Sequence, residues 1–517
     1  MTFAFFLQNA TAQITVTGSN TKDGPYTSLT NAGGAFEALN SITQVGKTIV
    51  ITITADVTTE SGTNALTGDA GMWSTLTINP SGVRTISGSS YYLIYLNGAD
   101  NLTIDGLNTG GNSLTINNSS TNLDASTLYF DNDASNNVVT NCTILGSSSS
   151  SSTSATIMFG TTCPVTGNDN NNINHCNIGP SGDNLPGCAL QYGGGTTEAT
   201  ANSGNTISYN NIYDWYSPTD SDYAIFFTSY YNNINCTITK NSFYQTAPRT
   251  KTSTSYFYSY AMYLNGPSSP SYTYGQTITD NYIGGSSPQC GGTPMSYNGA
   301  ATGNVTFQPI FIKIGTATPT MIKNNTIKNI SLTADGDVVL YPITVQTGAC
   351  EIDNNTLGSS TATSNITLNS LTKGTKFFGI YNTGKATITS IDNNTIGGVT
   401  IDGNNGTTSY SNMFYGIYIW STTSTIDDIT NNHIGSTTIA NSVSITNSTN
   451  VCRMVYIGIS LSALTLGRRL VDGNTIANIT IAKDATWSSV SYSSGIYSEA
   501  PDATISNNEI YNLKNGL

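Results

Sequence analysis

Residues 386–401 read ATITSIDNNTIGGVTI, and three features in this stretch decide the fold. Ala386-Thr387-Ile388-Thr389 alternates with period two, as a half-buried strand does. Asn393-Asn394-Thr395-Ile396 turns the chain and closes on an apolar anchor, and Gly398-Val399-Thr400-Ile401 opens a further strand. The turn phrase is one of eleven: NCTI 141–144, HCNI 175–178, YNNI 209–212, KNSF 240–243, DNYI 280–283, NNTI 324–327, NNTL 354–357, NNTI 393–396, NNHI 431–434, GNTI 473–476 and NNEI 507–510. Its anchors, from Ile144 to Ile510, lie 30 to 44 residues apart, a period that marks a solenoid.

A second strand precedes each phrase, as in Gly379-Ile380-Tyr381, Gly416-Ile417-Tyr418, Gly458-Ile459-Ser460 and Gly495-Ile496-Tyr497. From this strand to the anchor the separation is steady, 16 residues for Ile380 to Ile396 and 17 for Ile417 to Ile434. From anchor to next strand it varies, 12 for Ile178 to Leu190 and 29 for Ile283 to Ile312. Insertions in a solenoid map to loops on one face, often the binding face. Three short strands per coil, parallel from coil to coil, predict an all-β parallel β-helix. Within it Asn suits the left-handed residue of a tight turn. Stacked at a strand spacing of about 4.8 Å, Asn side chains can also hydrogen-bond along the axis. Two residues before the anchor the exceptions are Cys142 and Cys176, in consecutive repeats. Their stacking falls within the disulfide Cα range of about 4.4–6.8 Å, while parallel Cβ vectors oppose the bond, so a bridge and two free thiols both fit.

The phrase pair GIY…TIxNNTI resembles the repeats of the right-handed parallel β-helix (pectin-lyase-like) superfamily, which includes pectate lyases and many secreted bacterial surface repeat proteins. The resemblance covers about residues 90–515 and implies a right-handed parallel β-helix solenoid with long loops on one side. No catalytic motif of that superfamily matches, so no catalytic residue is carried over. Residues 13–89 are expected to form an N-terminal cap and first strands. Phe36, Leu39 and Ile42 have helical spacing for a capping helix, and Thr48–Ile53 reads as a strand. Residues 1–12 resemble the remnant of a signal peptide, with the apolar Phe3–Leu7 and the small-residue site Ala10-Thr11-Ala12. Repeats are expected over 90–517. An uncapped last coil leaves a strand edge, so the natural chain is expected to continue past Leu517.

Only 9% of residues are charged, which leaves hydroxyls and amides to cover the surface. Net charge is −13, which argues against a nucleic-acid partner. No apolar run is long enough for a membrane span. Eight Cys and two His show no metal-ligand spacing, so no metal site or cofactor is expected. A Ca²⁺ site at Asp220/Asp222 or Asp335/Asp337 would supply only two of the usual 6–8 ligands. Those acids, with Asp131/Asp133, Asp214 and Asp427/Asp428, lie mostly in turn-rich contexts where Asp serves the backbone. His175 and His433 read as variants of turn positions, and a regular Thr-x-Thr column is not evident.

The aromatic signal is stronger. Residues 209–297 hold 20 aromatic side chains out of a total of 30 Tyr, 15 Phe and 4 Trp, several in predicted loops. Trp215, Tyr216, Tyr230, Tyr231, Tyr256, Tyr258, Tyr272 and Tyr274 are the candidate glycan-binding residues, since a flat face with a polar tip suits a sugar ring. The alternative is that long loops pack their own aromatics. The expectation is an exported, extracellular or cell-surface scaffold or adhesin segment, a monomeric solenoid within a longer chain, with a polysaccharide or surface glycan as partner. A polysaccharide-degrading enzyme, lyase before hydrolase, is the alternative.

Overall fold

The computed structural model describes residues 12–68, 72–228, 233–253, 255–266, 275–300, 303–314, 318–384, 386–403, 411–420, 425–446, 453–462, 469–482 and 492–515. The described chain winds as a parallel β-helix solenoid. One coil shows the plan: strand Tyr258–Asn265 lies in an aromatic sheet, Thr277–Thr279 in a middle sheet and Tyr282–Ile283 in an anchor sheet. Each strand pairs in parallel with its counterpart in the neighbouring coils.

The anchors stack in strict register, Ile144 on Ile178 on Ile212 on Phe243, and onward to Ile476 on Ile510. The column reaches back through Ile116 and Ile86 to Val57. Parallel coils therefore begin near Thr48, well before the first Asn phrase. Ile173, Ile207, Ile238 and Ile278 form the matching inward column of the middle sheet. Nearly every member is fully buried, and burying each aliphatic side chain contributes about 1.5–3 kcal/mol. At the last described level Ile505 and Ile510 are 47% and 46% exposed.

At the N-terminal end the helix spans Ala35–Asn40 and buries Ala35, Phe36 and Leu39. Ile42 lies beyond it. Strand closure supplements the helix: Ile14–Thr17 pairs antiparallel with both Gly24–Tyr26 and Thr48–Ile53, so the first parallel strand of the middle sheet is covered. Residues 1–11 of the signal-like segment lie outside the described residues.

The connections depart from the expectation of loops on one side. Residues 160–171 and 193–205 follow aromatic-sheet strands, whereas 181–187 and 284–294 follow anchor strands, so long segments leave two corners.

The cross-section also grows along the axis. From Arg249–Lys251 onward the anchor sheet carries an extra strand per coil, continued by Met295–Gly299, Ile330–Ala334 and Ile366–Ser370. Aromatic-sheet strands lengthen with it. Their added inward column runs Phe307, Leu340, Phe377, Phe414. Where these strands bend, late coils need glycine. A Cβ on Gly379, Gly416 or Gly458 would lie 2.5–2.6 Å from the carbonyl oxygen of the glycine one coil on. That close approach explains the Gly of the GIY phrase.

Candidate functional site

The turn before each anchor divides its work between two residues. The first residue of the phrase takes the left-handed conformation in all eleven coils: Asn141, His175, Tyr209, Lys240, Asp280, Asn324, Asn354, Asn393, Asn431, Gly473 and Asn507. The second, from Asn210 to Asn508, is the buried ladder. Each ladder amide donates Nδ2–H to the Oδ1 of the next, from Asn210 to Asn241 at 3.0 Å through Asn474 to Asn508 at 2.9 Å. It also donates to a middle-sheet carbonyl one coil back, such as Asn325 Nδ2 to Ile278 O at 2.9 Å.

Cys142 and Cys176 occupy this ladder column, and both are buried free thiols. Each Sγ takes the carbonyl that the amide takes elsewhere, Ile104 O at 3.9 Å and Val139 O at 3.6 Å. The two thiols are therefore ladder substitutes, and no bridge joins them.

The outward face of the aromatic sheet carries a ridge in three clusters. Tyr92, Tyr95 and Tyr129 form the first, and Tyr223, Phe226, Tyr260, Tyr263 and Phe311 the second. Phe378, Tyr381, Tyr415 and Tyr418 form the third, with Tyr341 stacked against it. Met158 and Gln191 separate the first two clusters, and Thr344 interrupts the column between the others. Rings stack coil on coil, Tyr92 on Tyr129 at 4.1 Å and Tyr263 on Phe311 at 4.7 Å, with planes 3° and 6° apart. Stacking along the axis occupies the ring faces. What the ridge presents outward is ring edges and phenol hydroxyls. Burial pushes Tyr95 up to about 12 and Tyr129 and Tyr260 further up, so these phenols stay protonated at neutral pH.

The loop aromatics distribute differently from expectation. Trp215 is fully buried, edge-on to Phe243, so its indole offers no face to a sugar. Tyr216 is half-buried; its hydroxyl donates to Thr250 O, and Arg249 and Lys251 lie 6.0 and 5.5 Å from its ring. Tyr256 is 59% exposed and donates to Asp337 Oδ2 at 3.1 Å. Tyr258 adjoins Tyr260 at 5.9 Å, at the margin of the second ridge cluster. Tyr230, Tyr231, Tyr272 and Tyr274 lie outside the described residues.

Beneath Tyr216 lie two buried ion pairs, Arg249 with Asp214 and Lys251 with Asp222. They sit where the added strand begins. Arg249 heads the inward column that continues as Tyr297, Leu332 and Leu368, and Asp222 heads the one that continues as Ser259 and Phe307. The charges thus floor the added chamber, where no earlier coil covers it. Burial pushes the Asp222 carboxyl up, against the pull of Lys251. Arg469 is also buried.

Asp131 and Asp133 serve turns, and the Asp427 side chain lies outside the described residues. Asp131 Oδ1 accepts from Thr162 N at 2.9 Å, and Asp133 Oδ1 from Gly167 N at 2.8 Å. Among the described residues no group of three or more His, Cys, Asp or Glu could hold a metal ion. On the middle sheet Thr206/Ser208, Thr237/Thr239 and Thr277/Thr279 do stack, but Met321 and Lys323 end the array in the next coil.

One exposed row at the left-handed corner went unnoticed as chemistry in the sequence. His175 stacks parallel on Tyr209 at 4.7 Å, and Lys240 Nζ donates to Tyr209 Oη at 2.8 Å. The signal was present in the phrases HCNI, YNNI and KNSF, whose first residues are not Asn.

These features define a parallel β-helix solenoid with an aromatic outer ridge. No protein-family model matches the chain, and no curated protein matches it.

Proposed function

We propose that this chain is an exported member of the right-handed parallel β-helix superfamily, acting as an extracellular or cell-surface scaffold that holds a glycan along its aromatic ridge. The observation that carries this reading is the ridge itself: aromatic edges, most of them phenols, stacked coil on coil in three clusters on a surface otherwise built from hydroxyls and amides. Ring edges carry the positive end of the aromatic quadrupole, so edges beside phenol hydroxyls suit the hydroxyl and ring oxygens of a sugar chain. The rest of the repeat supports a scaffold, since the second Asn of each phrase is held in the ladder and the carboxylate of Asp131 accepts from a backbone N–H group.

A panel of immobilised polysaccharides, assayed for retention and for release of unsaturated products, tests it. Retention without product is expected, and Tyr263→Ser/Phe311→Ser, two outward positions, should abolish it. Product release by the parent chain would overturn the scaffold reading in favour of a lyase.

A further inference from the structure

At the first phrase position the backbone asks only for a residue that tolerates the left-handed region. Asn and Gly do so readily, and His and Asp are enriched there; Tyr and Lys are not. Yet Tyr209 and Lys240 adopt it at φ 57° each, in consecutive coils. The fold does not require their side chains, because the neighbouring Asn210 and Asn241 carry the ladder. The two residues that fit the backbone least touch each other.

Their contacts are already organised. His175 Nδ1 meets Asn174 Oδ1 at 2.9 Å, and that oxygen also accepts from Thr140 Oγ1 at 2.6 Å, so Nδ1 carries the proton. The imidazole covers one face of Tyr209, and Lys240 Nζ lies 5.0 Å from the ring centroid. Having accepted from Lys240, the Tyr209 hydroxyl keeps its own proton to donate. The ammonium keeps two. Nζ and Oη, 2.8 Å apart on an exposed corner, therefore present two adjacent donors, one of them charged. That spacing matches the two oxygens of one carboxylate or one sulfate, and charge assistance strengthens both bonds.

We infer that Tyr209 and Lys240, steadied by His175, bind the carboxylate or sulfate group of an anionic glycan at the left-handed corner. The site shares the glycan class of the proposed function but not its surface. Asp280 is the next residue of the row.

The test uses Tyr209→Asn/Lys240→Asn, which installs the residue other coils carry here and so should not lower the melting temperature. Retention is measured on immobilised hyaluronan for the carboxylate, dextran sulfate for the sulfate, and neutral dextran. The parent chain should be retained on at least one polyanion, and the double variant should lose about tenfold or more of that affinity. Dextran retention through the ridge should not change, so failure of the ridge reading shows separately as dextran binding that is absent or indifferent to Tyr263→Ser/Phe311→Ser. Failure of the parent to bind either polyanion, or equal binding by a folded double variant, overturns the inference.

Discussion

Truncating one rung of the amide ladder, Asn325→Ala, should cost far more than its size suggests. Asn325 is fully buried and makes four side-chain hydrogen bonds. Its Oδ1 accepts from Asn281 N at 3.1 Å and Asn281 Nδ2 at 3.0 Å. Its Nδ2 donates to Ile278 O at 2.9 Å and Asn355 Oδ1 at 3.0 Å. Alanine leaves Asn355 Oδ1 with the Asn325 main-chain N–H, also at 3.0 Å. Two groups lose their partners, the Asn281 main-chain N–H and one Asn281 amide hydrogen, and Ile278 O loses a donor. At about 1–3 kcal/mol for each buried unsatisfied group, with the low end favoured by relaxation, the cost is about 3–5 kcal/mol. Asn325→Cys is the internal control, because Cys142 and Cys176 show that a thiol in this column reaches the same carbonyl. It should cost less than half as much. Urea unfolding gives the change at constant m, and hydrogen exchange in the coils on either side separates local from global opening, since repeat stability is set by neighbouring interfaces. An alanine cost below about 1 kcal/mol, or equal costs for alanine and cysteine, would refute the claim that partner loss dominates.

Three further outcomes are expected. Lys251→Met leaves the buried Asp222 unpaired and should cost about 3–5 kcal/mol at neutral pH. Burial already raises the Asp222 carboxyl in the folded chain against the pull of Lys251, and removing that charge raises it further, so the cost of the unpaired carboxylate grows as pH rises and is relieved by protonation as pH falls. The urea midpoint of Lys251→Met should therefore recover relative to the parent on lowering pH from neutral towards the carboxylate range; a pH-independent deficit would contradict it. Gly416→Ala places a Cβ 2.6 Å from Gly458 O and 2.9 Å from Ile434 Cδ1, and thermal melting should show a loss of about 2–3 kcal/mol unless the coils shift apart freely. The hydrogen bond to Cys176 and burial hold the Cys142 thiol well above its usual range, so alkylation followed by peptide mass analysis should label Cys142 and Cys176 only after unfolding.

Much of the fold was legible because every coil repeats one local instruction. The anchors, the GIY strands and the capping helix at Phe36 and Leu39 are all properties of short windows. What stayed hidden depends on register between coils. Period-two alternation cannot say that Asp222 and Arg249 stand at the heads of columns that become apolar within two coils. Nor can it say that Trp215 turns inward while Tyr223 and Tyr263 face out. The loop aromatics were singled out because loops usually carry function. Here the strands carry the longer aromatic surface, since parallel stacking multiplies each outward Tyr along the axis.

The same register explains where a repeat protein of this kind has room for function. A residue that faces inward is fixed by the residues above and below it, and substitution there propagates through the column. The ladder Asn is fixed most tightly, because its side chain touches three coils. The residue before it is bound by a backbone angle and, where it is Asn, by exposed hydrogen bonds such as Asn431 Nδ2 to Asp392 Oδ1 at 3.0 Å, outside the buried core. Separating those two demands, which the sequence phrase presents as a single Asn-rich turn, leaves an outward side chain per coil that can vary without disturbing the core. His175, Tyr209, Lys240 and Asp280 are where the chain has used that freedom in four coils running. Elsewhere the corner reverts to Asn or Gly. If the corner were neutral, scattered substitutions would serve as well as a contiguous row whose members stack and hydrogen-bond; contiguity and contact together are what favour a ligand there.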